Sequence, residues 1–112
     1  MSGTTRTLQC YSEVTLSEVA AALKSAIGGD LLLEDRQTLG EGEALLLAFE
    51  RYYWRNGSYA SLTVMLTAWE DRRTASIVGS GGGEGLFNIS LGANADFAAQ
   101  AVEVLRKFGF RP

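Results

Sequence analysis

From Leu45 to Ile77 apolar residues recur at every second position: Leu45, Leu47 and Phe49, then Leu62, Val64 and Leu66, then Ala75 and Ile77. A period of two is that of strands, whose side chains alternate between faces, so this stretch is read as sheet. Asn56-Gly57 interrupts it with the residue pair that a two-residue type I′ hairpin turn tolerates best. With that turn Trp54 faces Tyr59, Tyr52 faces Ser61 and Phe49 faces Val64. Asp71-Arg72 then closes a second hairpin, with Trp69 opposite Thr74 and Leu66 opposite Ile77.

The alternation sorts the strands into two faces. Leu45, Leu47, Phe49, Leu62, Val64, Leu66, Ala68, Ala75 and Ile77 form an aliphatic face that amphipathic helices can cover. Tyr52, Trp54, Tyr59, Met65 and Trp69 collect on the other, among Ser61, Thr63, Thr67, Thr74 and Ser76. A one-residue bulge between Glu50 and Arg55 would exchange part of this assignment.

Helical periods flank the sheet. Thr15-Leu16-Ser17-Glu18 has capping-box spacing, with Val14 and Val19 as the flanking staple; Leu16, Val19, Ala20, Leu23 and Ile27 follow, and Gly28-Gly29 stops the helix. A second helix, entered at Asn94 with Asp96 in its first turn, presents Phe97, Ala101, Val102, Leu105 and Phe108 on one face. Gly109-Phe110 reads as a Schellman ending.

With Thr5 to Tyr11, Asp30 to Leu39 and Leu86 to Leu91 as further strands, the order is β-α-β-β-β-β-(β)-α. The fold class expected is α+β: one two-layer domain over residues 1–112, a curved antiparallel sheet of five or six strands with two helices on one face. The order is similar to one repeat of the TATA-binding-protein-like fold and to a short helix-grip fold, a likeness that carries no function by itself.

Composition removes several classes of function. A net charge of −3 gives no broad basic surface for nucleic acid. The longest apolar run, Ala44 to Phe49, is too short to cross a bilayer, and no apolar segment follows the first residues, so a cytoplasmic protein without membrane contact is expected. Cys10 is the one cysteine and shares a strand face with Leu8, as a buried inert thiol would. There is no histidine, which excludes Ser-His and Cys-His nucleophiles and the commonest metal ligand. No pair of carboxylates is set up for acid–base work, so the expectation is a protein that is not an enzyme and has no cofactor or metal.

Phe49-Glu50-Arg51-Tyr52-Tyr53, Arg55-Asn56, Ala60-Ser61-Leu62-Thr63-Val64, Ile77-Val78-Gly79-Ser80-Gly81-Gly82-Gly83 and Gly92-Ala93 with Asp96-Phe97 carry a resemblance. They resemble a family of short bacterial proteins classed as a domain of unknown function. The likeness covers nearly the whole chain and implies a single stand-alone domain; it brings no assigned activity, cofactor or catalytic residue.

Two places are candidate sites. The aromatic face of Tyr52, Trp54, Tyr59, Met65 and Trp69 exceeds what monomers leave in water, and a second copy meeting it about a two-fold axis is the simplest cover. Alternatively, a small anionic ligand is held by Arg51, Tyr53 and Arg55 with Ser80, Gly81, Gly82, Gly83 and Glu84 of the glycine-rich segment Gly79 to Gly85. That segment matches neither nucleotide-binding glycine motif, and its structural reading is a wide turn or sheet bend. For Arg51 and Arg55 the structural reading is pairing with Glu50, Glu70 or Glu84.

Overall fold

The computed structural model describes residues 3–54, 57–81 and 93–112. In chain order they form β1 (Gly3–Tyr11), α1 (Leu16–Ala26), β2 (Asp30–Leu39), β3 (Gly42–Tyr53), β4 (Ser58–Trp69), β5 (Arg72–Gly81) and α2 (Ala93–Lys107). All five strands join one antiparallel sheet in the order β1-β5-β4-β3-β2. α1 thus carries the chain from one sheet edge to the other, and β2 to β5 return as a meander. The α+β class and the antiparallel sheet are as the alternating pattern predicts. The stretch Leu86 to Leu91, expected as a further strand, lies outside the described residues.

Both helices cover the aliphatic face. α2 packs over β5, β4 and β1, and α1 packs on α2 and β4. Leu45, Leu47, Phe49, Leu62, Val64, Leu66, Ala75 and Ile77 are buried there with Val19 and Leu23 of α1 and Phe97, Ala101 and Leu105 of α2. Each buried Leu, Ile, Val or Phe among them contributes about 1.5–3 kcal/mol. Ala98 and Val104, which the helical pattern omits, are buried as well.

Helix ends follow local chemistry with one exception. At α1 the Thr15 hydroxyl accepts from Glu18 N–H at 3.1 Å, and Glu18 Oε2 accepts from Thr15 N–H at 3.0 Å. α2 ends in the Schellman geometry: Phe110 N–H donates to Leu105 O, Gly109 N–H donates to Arg106 O, and Gly109 has φ of +95°. Gly28-Gly29, by contrast, does not end α1 through a left-handed glycine, since the cap is Ile27 in extended conformation. Gly29 is there for space. A Cβ on it would lie 2.9 Å from Glu50 O and 3.1 Å from Phe97 Cζ.

Both hairpin registers differ from the expected ones by two residues. Tyr53 pairs with Ser58, so the first loop holds four residues, and Phe49 faces Leu62 and Tyr52 faces Tyr59. Gly57, at φ of +67°, closes the loop by donating to Tyr53 O at 2.9 Å. In the second hairpin Trp69 pairs with Arg72 and Leu66 with Ala75, so the loop is Glu70-Asp71 rather than Asp71-Arg72, with Glu70 in the left-handed region at φ of 54°. A shift of two preserves parity, so the division into two faces survives for the residues that stay in strands, while Trp54 falls in the loop. Pairing of β3 with β4 runs unbroken from Glu43 to Tyr53; the irregularity in the sheet falls instead on β2, between Leu31 and Leu33.

Candidate functional site

The face of the sheet away from the helices is open. Tyr52, Tyr59, Met65 and Trp69 stand exposed on it as their parity requires, Tyr59 by 58% and Trp69 by 60%. Trp54, exposed by 83%, belongs to the hairpin loop rather than to a strand. Register adds residues that the sequence reading did not assemble: Tyr11, Leu33, Leu39 and Val78, all exposed. The signal for Tyr11 was available, because it continues the outward series Thr7, Gln9 on β1.

The aromatic residues divide between two ends. Tyr52 and Tyr59 rings contact each other with centroids 5.0 Å apart at one end of the meander. Trp69 lies ten residues along β4 from Tyr59, about 33 Å away, in the row that includes Leu39, Gly42, Arg72 and Tyr11. Between the ends runs a band of Ser61, Thr63, Met65 and Thr67. Two of its hydroxyls are bonded across strands, Ser61 to Ser80 at 2.7 Å and Thr67 to Thr74. β4 has no charged residue in its whole length, and the outward positions of β5 from Thr74 to Ser80 and of β3 from Gly42 to Ala48 have none either.

The second place is the hairpin end on the helix side. Arg51 and Tyr53 come together there: Arg51 Cζ lies 5.0 Å from the centre of the Tyr53 ring, and that ring meets Phe97 edge-on at 6.3 Å. Gly28 makes room for the guanidinium, since a Cβ on it would lie 3.3 Å from Arg51 Nη1. Gly28 N–H donates to Gln100 Oε1 at 3.1 Å, which fixes the amide of α2 beside the arginine. A cleft of about 410 Å³ is lined by Arg51, Tyr52, Tyr53, Trp54, Asp96 and Gln100. Arg51 forms no ion pair with Glu50 or Glu70; the ion pairs among the described residues are Lys24–Glu34 and Arg36–Glu43. A larger cleft, about 480 Å³, lies between β1 and α2, but its Arg6 donates to its own neighbour's carbonyl, Thr5 O, at 2.8 Å.

Of the other residues of the expected ligand site, Ser80 and Gly81 are described, and neither lines this cleft. Ser80 is on the opposite face of the sheet, bonded to Ser61. Gly81 has φ of +77°, and a Cβ there would lie 2.7 Å from Tyr59 O, so the fold itself requires this glycine. Arg55, Gly82, Gly83 and Glu84 lie outside the described residues. Gln100 and Asp96 are the wall residues of the cleft that sequence reading did not put beside Arg51, because only packing brings α2 to the hairpin.

Cys10 is buried, and burial pushes its thiol above the usual range, against a smaller opposing effect of the Arg73 charge. Among the described residues no three His, Cys, Asp or Glu side chains come together as a metal set, and no helix is long and apolar enough to cross a membrane. A family model described as a family of unknown function (DUF6054) matches residues 1–109 of the chain. No curated protein and no solved structure matches it.

Proposed function

The chain belongs to this family of unknown function, and we propose that it serves as a non-enzymatic assembly module in which two copies meet through their open sheet faces. The supporting observation is the charge-free central strand β4, flanked by exposed Tyr52, Trp54, Tyr59, Met65 and Trp69. Depletion of charge with enrichment of aromatic residues and methionine is the mark of an interface centre. Five strands spaced about 4.8 Å apart and about 33 Å long present roughly 800 Å², the area each partner contributes to a stable interface.

A two-fold axis crossing the strands near Met65 sets the Trp69 end of one copy on the Tyr52–Tyr59 end of the other. Completing the burial of five half-exposed side chains contributes of the order of 5–10 kcal/mol, against about 4 kcal/mol or more lost in rigid-body freedom. The dimer is therefore expected to be weak, dissociating at roughly tens of micromolar chain or above. Light scattering after gel filtration should give twice the chain mass at high concentration, and Met65→Lys or Trp69→Lys should return the monomer without lowering its melting temperature. A wild-type protein that stays monomeric at every concentration would refute the reading.

A further inference from the structure

We propose that the cleft at Arg51 binds a planar monocarboxylate. Arg51 is the centre of the argument. Arg51 is exposed, forms no ion pair with any described residue, and its Cζ lies 5.0 Å from the centre of the Tyr53 ring. A guanidinium so placed offers a two-pronged fork matching a carboxylate.

The neighbours narrow the ligand further. Gln100 accepts from Gly28 through Oε1, which leaves its amide nitrogen as a second donor in the same wall. Asp96 lines the cleft as well. A carboxylate matches the guanidinium fork in plane and charge, whereas inorganic phosphate has no apolar body to fill the rest of the cleft. Tyr52 and Trp54 supply aromatic surface for the remainder of the molecule, and about 410 Å³ holds a body of one or two rings. Arg51 and Gln100 lie on the helix side, outside the proposed interface, whereas Tyr52 and Trp54 belong to both surfaces, so the titration uses protein dilute enough to be monomeric.

The test is a titration followed by two-dimensional ¹H–¹⁵N NMR with phenylacetate, inorganic phosphate and the neutral analogue 2-phenylethanol. Phenylacetate is expected to shift Arg51 Nε–H, the Gln100 side-chain amide and the Gly28 backbone amide in a saturable way. Phosphate and 2-phenylethanol should bind at least about tenfold more weakly. Arg51→Ala should abolish the effect, and Arg51→Lys, which keeps the charge but not the fork, should retain only part of it. Because Arg51 is exposed, both variants are expected to keep the wild-type spectrum elsewhere. The proposal fails if phenylacetate gives no saturable shift at these three residues, if Arg51→Ala binds as well as wild type, or if phosphate binds as tightly as phenylacetate.

Discussion

Arg73 Nε donates to the carbonyl oxygen of Val14 at 2.7 Å and so ties the β4–β5 turn to the segment leading into α1. Its Nη1 donates to Glu70 O at 2.7 Å and to Arg72 O at 3.0 Å, and the residue is only 8% exposed. Parity with Ala75 and Ile77 puts Arg73 on the helix-covered face, and the fold makes it a clamp on three carbonyls. Arg73→Met removes all three bonds and should lower stability by about 2–4 kcal/mol in urea unfolding. Arg73→Lys should recover less than half, because an ammonium cannot reproduce the fork.

Gly29 and Gly40 separate two reasons for glycine. Gly29→Ala puts a methyl group against the Glu50 carbonyl and the Phe97 ring, and should cost about 2 kcal/mol through overpacking. Gly40 has nothing within 4 Å of a Cβ but holds φ of +63°, so Gly40→Ala should cost about 1 kcal/mol from backbone strain. Denaturation midpoints that reverse this order would contradict the packing argument.

The capping box should show in the pH dependence of stability. Bonds from the Thr15 N–H and hydroxyl hold the Glu18 carboxyl below the usual carboxylate range. A group with a depressed folded-state pKa contributes stability above its unfolded pKa and loses it as pH falls through the folded value. The stability gap between wild type and Glu18→Gln should therefore be full at neutral pH and close as the solution is acidified. A gap that widens with acid would contradict the geometry.

Cys10 should resist thiol reagents in the folded protein, since burial both shields it and disfavours the thiolate. Iodoacetamide labelling followed by mass spectrometry should be slow in buffer and fast in concentrated urea. Equal rates would place the thiol at the surface.

The two faces of the sheet, the capping box and the Schellman ending are written in neighbouring residues. Alternation from Leu45 to Ile77, Thr15 with Glu18, and Gly109 with Phe110 act over one to five positions, where side-chain period and cap chemistry are fully local. Register was not legible in the same way. Sliding both hairpins by two residues leaves every side chain on its own face, so the hydrophobic pattern cannot distinguish Phe49 opposite Leu62 from Phe49 opposite Val64. Gly57 and Glu70 decide it, by adopting the left-handed conformations that close the loops.

The candidate sites divide along the same line. Exposure of Tyr52, Tyr59, Met65 and Trp69 followed from parity, and the pairing of Arg51 with Tyr53 from their spacing on one strand. That Tyr11 and Leu39 share a row with Trp69, that Gln100 and Asp96 face Arg51, and that Ser80 does not, depended on the sheet order β1-β5-β4-β3-β2 and on how α2 packs. Those contacts join residues dozens of positions apart. They are selected by burying one common core, a condition on the whole chain that no local stretch of sequence expresses.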